Sequence, residues 1–439
     1  MEEMQELMNF AQFEITQRGQ EGCDVKSVKE RFDRISEMDT GIKIEKLNSL
    51  IRDVEALKPE KSFPYVEPST LEEIKAVRPQ GPRRMELNLT DSQIYDHIYG
   101  AWLGRAAGCA LGKPVEGWDK KNIDSYLQFA GALPLTDYIP LIDGHSDGLK
   151  PHSPESTRGK ISFMARDDDM DYTVLGLHIL ERFGPDFTAR NVADTWLFRL
   201  PYHLVYTAER VAYRNLVNNI WPPESASYRN PFREWIGAQI RADSMGYVAP
   251  GWPEKAAEFA FRDAMVSHVK NGIYGEMFVA AMLAAAFVTN NVEDVINIGL
   301  SEIPGNCRLA EAVRDTVHWC KKLNNWEQVW TEIDKKYGHY HRVHTINNAA
   351  LVVMGLMFAQ LDYETSIIVA VRGGWDTDCN GATGGSVSGM MLGADGLPEK
   401  WVNVLNDRLL SAVVGFNDCK ISELAKRTQE IAQKVSAEN

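Results

Sequence analysis

Apolar residues recur at helical spacing along most of the chain, and almost no segment alternates with the period of two that is typical of a half-buried strand. In the N-terminal part this pattern covers Val25–Ile35 and Ile42–Leu57. From Asp91 onwards it predicts a succession of helices, with irregular segments at 131–160 and 221–253. The predicted helices cover 91–111, 171–183, 254–270, 274–289, 308–323, 345–360, 363–371, 379–393 and 399–413. We therefore expect an all-α fold of many packed helices.

Prolines interrupt the helical pattern before the main part of the chain begins. Residues 58–90 contain Pro59, Pro64, Pro68, Pro79 and Pro82. Such a segment is typical of a linker or of an extended wrap over another unit. We expect an N-terminal helical extension with a Pro-rich linker over 1–90, followed by one all-α domain over 91–439.

Glycines recur at every fourth position in two of the predicted helices. The two sets are Gly100, Gly104, Gly108 and Gly112, and Gly381, Gly385, Gly389 and Gly393. This spacing keeps the members of each set on nearly one helix face, where they permit close approach of another helix. The two stripes either pack against each other in antiparallel orientation or pack against other helices. The first arrangement would bring Glu116 near Asp376 and Asp378.

The charge of the chain argues against nucleic acid as the main partner. The net charge is −14, and no basic stripe of the kind that binds a phosphate backbone is present. The longest uncharged apolar run, Met277–Val288, is too short to span a bilayer and is expected to form a buried helix. The sequence therefore predicts no membrane contact, and it leaves the oligomeric state open.

Six cysteines are scattered along the chain without a Cys-x-x-Cys pair or a dense framework. This usage fits a reducing compartment, and the acidic N-terminus lacks the apolar core of a signal peptide. We therefore expect a cytoplasmic protein. No Ser-His-Asp pattern, Walker loop or dinucleotide fingerprint is convincing in the sequence.

Two short runs of aspartates are the main candidates for chemistry. The first is Asp167-Asp168-Asp169, and the second is Asp376-Thr377-Asp378, and each directly precedes a predicted helix. Crowded carboxylates repel each other, and hard divalent cations that prefer oxygen ligands relieve this repulsion. A pair of metal ions between the two runs is one hypothesis. Helix capping combined with solvated charge is the alternative, because carboxylates are also favoured at helix N-termini.

Three blocks of the sequence resemble the ADP-ribosylglycohydrolase family. They are Gly100–Glu116, the stretch that begins at Asp167, and the stretch from Gly373 through Asp376-Thr-Asp-Cys379 to Gly393. A weaker fourth match runs from Asp263 to Ala280. The resemblance implies an all-α orthogonal bundle that holds two magnesium ions, with Mn²⁺ as the alternative ion.

The resemblance also implies roles for individual residues. Asp168, Asp169, Asp376 and Asp378 match metal ligands of the family, while Asp167 and Cys379 stand where the family has ligating threonines. Glu116 and Asp169 are the implied proton acceptors. Gly112, His268 and Trp375 are the implied substrate contacts, and Trp375 stands where the family has a glycine. Cys109 replaces a common aspartate of the family.

The activity implied by the resemblance is hydrolysis of a glycosidic bond at C1 of a ribose-like sugar, with a small-molecule or ADP-ribosylated substrate. Two alternatives remain open at this point. The same site could act on another nucleoside or nucleotide-sugar metabolite, because several residues near it depart from the family pattern. The chain could also be a non-catalytic descendant that binds ADP-ribose or serves a structural role.

Overall fold

The computed structural model describes residues 2–437, and their regular secondary structure is almost entirely helical, as the sequence predicts. About 63% of the chain is helical. The helices are α1 (Glu2–Gln20), α2 (Lys26–Ser36), α3 (Thr40–Glu55), α4 (Leu71–Val77), α5 (Asp91–Gly112), α6 (Lys120–Phe129), α7 (Asp168–Phe183), α8 (Ala189–Arg199), α9 (Thr207–Val217), α10 (Glu224–Ser227), α11 (Ala242–Tyr247), α12 (Pro253–Ala264), α13 (Asn271–Ala286), α14 (Val292–Leu300), α15 (Arg308–Lys322), α16 (Trp326–Tyr337), α17 (Thr345–Ala359), α18 (Tyr363–Arg372), α19 (Thr377–Leu392), α20 (Glu399–Val402) and α21 (Ile421–Ser436). Two short strands, β1 (Arg408–Leu410) and β2 (Asp418–Lys420), pair in antiparallel orientation.

The two glycine stripes pack against each other, in the antiparallel arrangement that the sequence left as one of two alternatives. A Cβ atom on Gly104 of α5 would lie 2.2 Å from the carbonyl oxygen of Gly385 in α19. At Gly108 the same atom would lie 2.0 Å from the carbonyl oxygen of Gly381. Any side chain on these faces would hold the helices apart. The contact brings the C-terminal end of α5 to the N-terminal end of α19.

The centre of the molecule is formed by helices that are buried all round. Every residue of α13 is buried, and so are all but two residues of α17. A helix with apolar residues on every face has no side that water can solvate, so it belongs in a core. The run Met277–Val288 thus forms most of a buried helix, as expected. None of the described helices is long and apolar enough to cross a membrane.

The N-terminal helices α1–α3 have a hydrophobic cluster of their own. Its buried members include Ala11, Ile15, Leu47, Leu50 and Ile51. The segment 58–90 then follows the surface of the main bundle as an extended wrap. Its backbone joins the bundle where the Val66 amide donates to the Asn306 carbonyl and the Met85 amide donates to the Gly251 carbonyl.

Two predicted helices differ from the observed ones. The range 399–413 is wrong as a single helix, because Asn406 and Asp407 adopt positive φ angles of 52° and 54° and the chain then enters β1. The range 254–270 is too long, since α12 ends at Ala264 and Lys270 has a φ of 46°. Periodicity alone did not reveal these breaks.

Candidate metal centre

The two aspartate runs converge although about two hundred residues separate them. The C-terminal end of α5 and the N-terminal ends of α7 and α19 meet at a cleft of about 400 Å³. The cleft is lined by all five aspartates of the two runs, together with Glu116 and Cys379. The glycine packing of α5 on α19 is what brings Glu116 to the second run.

Asp167 stabilises the start of α7 and is paired with a cation. Its Oδ1 accepts from the backbone amide of Asp169 at 3.1 Å, which is an N-cap contact. Its Oδ2 accepts from Lys113 Nζ at 2.5 Å. Burial opposes ionisation of this carboxyl, but the Lys113 charge outweighs it, so the pKa of Asp167 lies below its usual value. Asp167 thus both caps α7 and forms an ion pair. The neighbouring Asp168 is half-buried and lines the cleft.

The Asp169 side chain is oriented by a buried arginine, Arg105. Arg105, which is fully buried in α5, donates to Asp169 Oδ1 at 3.2 Å and also pairs with Asp243 at 2.7 Å. The other oxygen, Oδ2, accepts from the Cys379 thiol at 3.1 Å. The Arg105 contact therefore orients Asp169 so that Oδ2 points towards α19.

The second run is supported by Asn348, in the first turn of α17. Asn348 Nδ2 donates to the carbonyl oxygens of Arg342 and His344, at 2.8 and 2.9 Å. Its Oδ1 accepts from the Asp376 amide at 3.3 Å and from Asn380 Nδ2 at 2.8 Å. One asparagine thus contacts the backbone at the start of the run and a side chain just after it.

Asp378 has an oxygen without a partner. Its side chain is 5% exposed, and Oδ1 has no hydrogen-bond partner among the described residues. Burial and the nearby Glu116 and Asp167 carboxylates raise the pKa of Asp378 well above its usual value. A buried acceptor that faces other carboxylates is costly unless a cation satisfies it.

Glu116 lies in a loop that is tied to the loop before Asp376. The Gly117 amide donates to the Trp375 carbonyl at 3.0 Å, and the Trp375 amide donates to the Trp118 carbonyl at 2.9 Å. The Glu116 side chain is exposed at the rim, yet its carboxylate faces the crowded cleft. Desolvation there and the Asp376 charge raise the pKa of Glu116 to about 7.

Two groups of side chains have the spacing of metal ligands. Ligand atoms of Glu116, Asp376 and Asp378 lie within 4.8 Å of one another, and so do those of Asp169, Asp378 and Cys379. Asp378 belongs to both groups, as a bridging carboxylate between two ions would.

The charges around the cleft also fit two divalent cations. Seven carboxylates line it, and three of them are paired with cations: Asp167 with Lys113, Asp169 with Arg105 and Glu209 with Arg241. Four negative charges then remain without a cationic partner of this kind, which equals the charge of two divalent ions. The donor set is mainly oxygen, as Mg²⁺ and Mn²⁺ prefer.

The three predicted substrate contacts differ in exposure: Gly112 and His268 are buried, and Trp375 is half-buried. Gly112 packs against the backbone of Thr377. The side-chain hydroxyl of Thr377 donates to the Gly112 carbonyl at 2.8 Å. His268 is fully buried, and its Nδ1 lies 2.8 Å from the Ser267 hydroxyl. Trp375 has a φ of 66°, a conformation that favours glycine, and its ring lies 6.5 Å from that of Trp330. Among the described residues none of the three lines the cleft.

Several residues that line the cleft could not be recognised as site residues from the sequence. Glu209 of α9 is one, and its Oε1 accepts from buried Arg241 at 2.6 Å. Ile236 and Val343 form another wall, joined where the Ile236 amide donates to the Val343 carbonyl at 2.9 Å. Lys113 lies in the block Gly100–Glu116, but its partner Asp167 is 54 positions away, so nothing in the sequence indicated the pair.

Comparison with known proteins now places the chain. A model of the ADP-ribosylglycohydrolase family matches residues 90–437. The chain belongs to this family. Membership in the family supports a hydrolase in general. The family is generally metal-dependent and acts on small-molecule or ADP-ribosylated substrates. The match leaves α1–α4 outside the family region.

Two similar proteins agree with this assignment. An uncharacterized protein of Archaeoglobus fulgidus is 26% identical over 313 residues, which are 70% of this chain and 90% of that relative. A solved ADP-ribosylglycohydrolase-related protein complex matches with a TM-score of 0.50 and 17% identity, over 78% of this chain and 99% of the solved chain. The second likeness bears on the fold alone and agrees with the all-α ADP-ribosylglycohydrolase architecture.

Proposed function

We propose that the protein is a metal-dependent hydrolase that cleaves the glycosidic bond at C1 of an ADP-ribose-like or ribosyl substrate. The observation that carries this proposal is the pair of ligand groups that share Asp378. The family membership supports the reaction class. Two Mg²⁺ ions, or Mn²⁺ in their place, would be held by Asp378 with Glu116 and Asp376 on one side and Asp169 on the other.

When bound, the ions would supply Lewis-acid chemistry, orienting ribose hydroxyls or water and offsetting negative charge. The chain's own residues hold this arrangement in place. Arg105 fixes Asp169, and Asn348 fixes the backbone of the second run. Gly112, His268 and Trp375 remain predicted substrate contacts, although the cleft lining does not include them.

Glu116 is the better placed of the two proposed proton acceptors. It is exposed at the rim, whereas both oxygens of buried Asp169 are occupied by Arg105 and Cys379. Water would give one proton to Glu116 as its oxygen bonds to C1. The bond from C1 to the leaving group breaks, the leaving group takes a proton from solvent, and Glu116 then returns the proton it accepted to solvent. A positioned base of this kind contributes about 10²–10⁴-fold to rate.

The test is release of ADP-ribose from ADP-ribosylated peptides and from free ribosyl conjugates, followed by mass spectrometry with and without Mg²⁺. Asp376→Asn should abolish the Mg²⁺-dependent release, because it removes a ligand. Glu116→Gln should lower kcat by about 10²–10⁴-fold. Asp194→Asn is the matched control, since the Asp194 side chain on α8 is 40% exposed, pairs with Arg190 and does not line the cleft. It should leave turnover unchanged.

Unchanged turnover in both cleft variants would rule out this site. Calorimetry with ADP-ribose adds a second criterion. Binding of ADP-ribose by the wild type without any product from any conjugate would overturn the hydrolase proposal in favour of a binding protein.

A further inference from the structure

The two ligand groups that meet at Asp378 differ in chemistry. Glu116, Asp376 and Asp378 offer only oxygen, whereas the group of Asp169 and Asp378 includes the sulfur of Cys379. Asp378 belongs to both groups, and its buried Oδ1 has no hydrogen-bond partner among the described residues. The two positions are therefore unequal before any ion binds.

The sulfur points at the ligand oxygen beside it. Cys379, 6% exposed in the first turn of α19, directs its Sγ to Asp169 Oδ2 at 3.1 Å. Arg105 holds the opposite oxygen of Asp169, so Oδ2 stays turned towards the sulfur. A cation that took the place of the thiol proton between these two atoms would contact both.

Sulfur changes which ion such a position selects. Mg²⁺ is bound by oxygen and is a poor match for a thiolate, whereas Zn²⁺ accepts thiolate and carboxylate together. Zinc–sulfur bonds of about 2.3 Å and zinc–oxygen bonds of about 2.0–2.2 Å allow both ligands in one coordination sphere.

We infer that the cleft is a mixed site, in which Cys379 binds a thiophilic divalent ion such as Zn²⁺ together with Asp169 and Asp378, while Glu116, Asp376 and Asp378 bind Mg²⁺ or Mn²⁺. This inference rests on the proposed dinuclear site and refines it. Binding at the sulfur position exchanges the thiol proton of Cys379 for the ion, and the proton goes to solvent.

The test uses the full-length chain freed of metal and titrated with Co²⁺ and with Cd²⁺. Both ions give near-ultraviolet sulfur-to-metal absorption only when a thiolate binds them. We expect this band in the wild type with one ion per chain, and we expect it to vanish in Cys379→Ser and in Cys379→Thr. Zn²⁺ affinity should fall by at least about 100-fold in these variants, since loss of an outer-shell partner alone costs up to that much. Mg²⁺ binding by calorimetry should persist, which also shows that the variants fold.

Cys109→Ser is the matched control. Cys109 is fully buried in α5 and feels the charges of Asp167 and Asp169, but it belongs to neither ligand group. It should retain the band. Two bound ions without a sulfur band in the wild type would overturn the mixed site and leave the dinuclear proposal intact. No bound ion of any kind would overturn both.

Discussion

At the scale of single residues, the cleft depends on internal cations as much as on acids. Lys113 and Arg105 neutralise Asp167 and Asp169, and the charge that remains is what two divalent ions would balance. Without such partners the neighbouring carboxylates would repel one another, and burying them would cost free energy. Lys113 therefore lets a fifth aspartate stand where the family has a neutral threonine.

The Lys113–Asp167 pair can be tested by a double-mutant cycle. Lys113→Met should lower the free energy of unfolding by about 3–5 kcal/mol, because it leaves a buried carboxylate unpaired. Adding Asp167→Asn should recover much of this loss, since asparagine removes the charge and still caps α7. Denaturant unfolding of metal-free protein measures both. Equal stability of the single and double variants would contradict a coupled pair.

At the scale of elements, the contact of α5 with α19 determines where the acids meet. Glycine costs about 1 kcal/mol in a helix relative to alanine, so two stripes of four carry a real penalty. Close packing of the backbones offsets this penalty and sets the distance between the Glu116 loop and the second run. The same spacing in sequence would be compatible with packing against other helices, and only the three-dimensional partner removes that alternative.

Neighbouring glycines of α19 provide a matched pair of substitutions. Gly385→Ala should destabilise by about 1–3 kcal/mol through overpacking, because its Cβ would lie 2.2 Å from the Gly104 carbonyl oxygen. Gly384→Ala faces only ordinary contacts, the nearest at 3.4 Å, and should be neutral or stabilise by up to about 1 kcal/mol. Thermal unfolding of the two variants compares them directly. A Gly385→Ala variant as stable as Gly384→Ala would argue against tight helix contact.

At the scale of the whole molecule, the N-terminal extension is joined to the loop at Arg233 and Glu234, which precedes Ile236 in the cleft wall. Arg233 pairs with Glu14 at 2.7 Å and with Glu21 at 2.8 Å, and all three side chains are buried. Glu234 next to it binds Arg308 at 2.7 Å. The chain then continues to Ile236 in the cleft. Glu14 and Glu21 lie outside the region that the family model matches, whereas Arg233 lies inside it.

Removing the brace should detach the extension. Arg233→Met removes the cation that joins Glu14 and Glu21 to the main bundle and leaves them paired with Arg18 and Lys270, so the expected loss is at most about 3–5 kcal/mol. Limited proteolysis should then cut within 58–63 faster than in the wild type. Arg31→Met is the control, because Arg31 and Asp53 form an exposed pair within the extension worth about 0–1 kcal/mol. Identical proteolysis of the two variants would show that Arg233 does not anchor the extension.

What the sequence determined by itself is the all-α class, the two aspartate runs as one candidate site, and two glycine faces that require a close partner. These follow from spacing and residue type, which act locally and can be read along one chain. The division into residues 1–90 and 91–439 remains a prediction of the same kind.

Only the tertiary structure decided which groups face each other. Three features depend on which helix faces meet: the cations paired with Asp167 and Asp169, the sharing of Asp378 by two ligand groups, and the places of Glu209 and His268. The break at Asn406 and Asp407 likewise follows from pairing with a later strand. Contacts between residues far apart in the chain produce no periodic pattern in the sequence. They contribute to stability only once the packed helices bring the residues together.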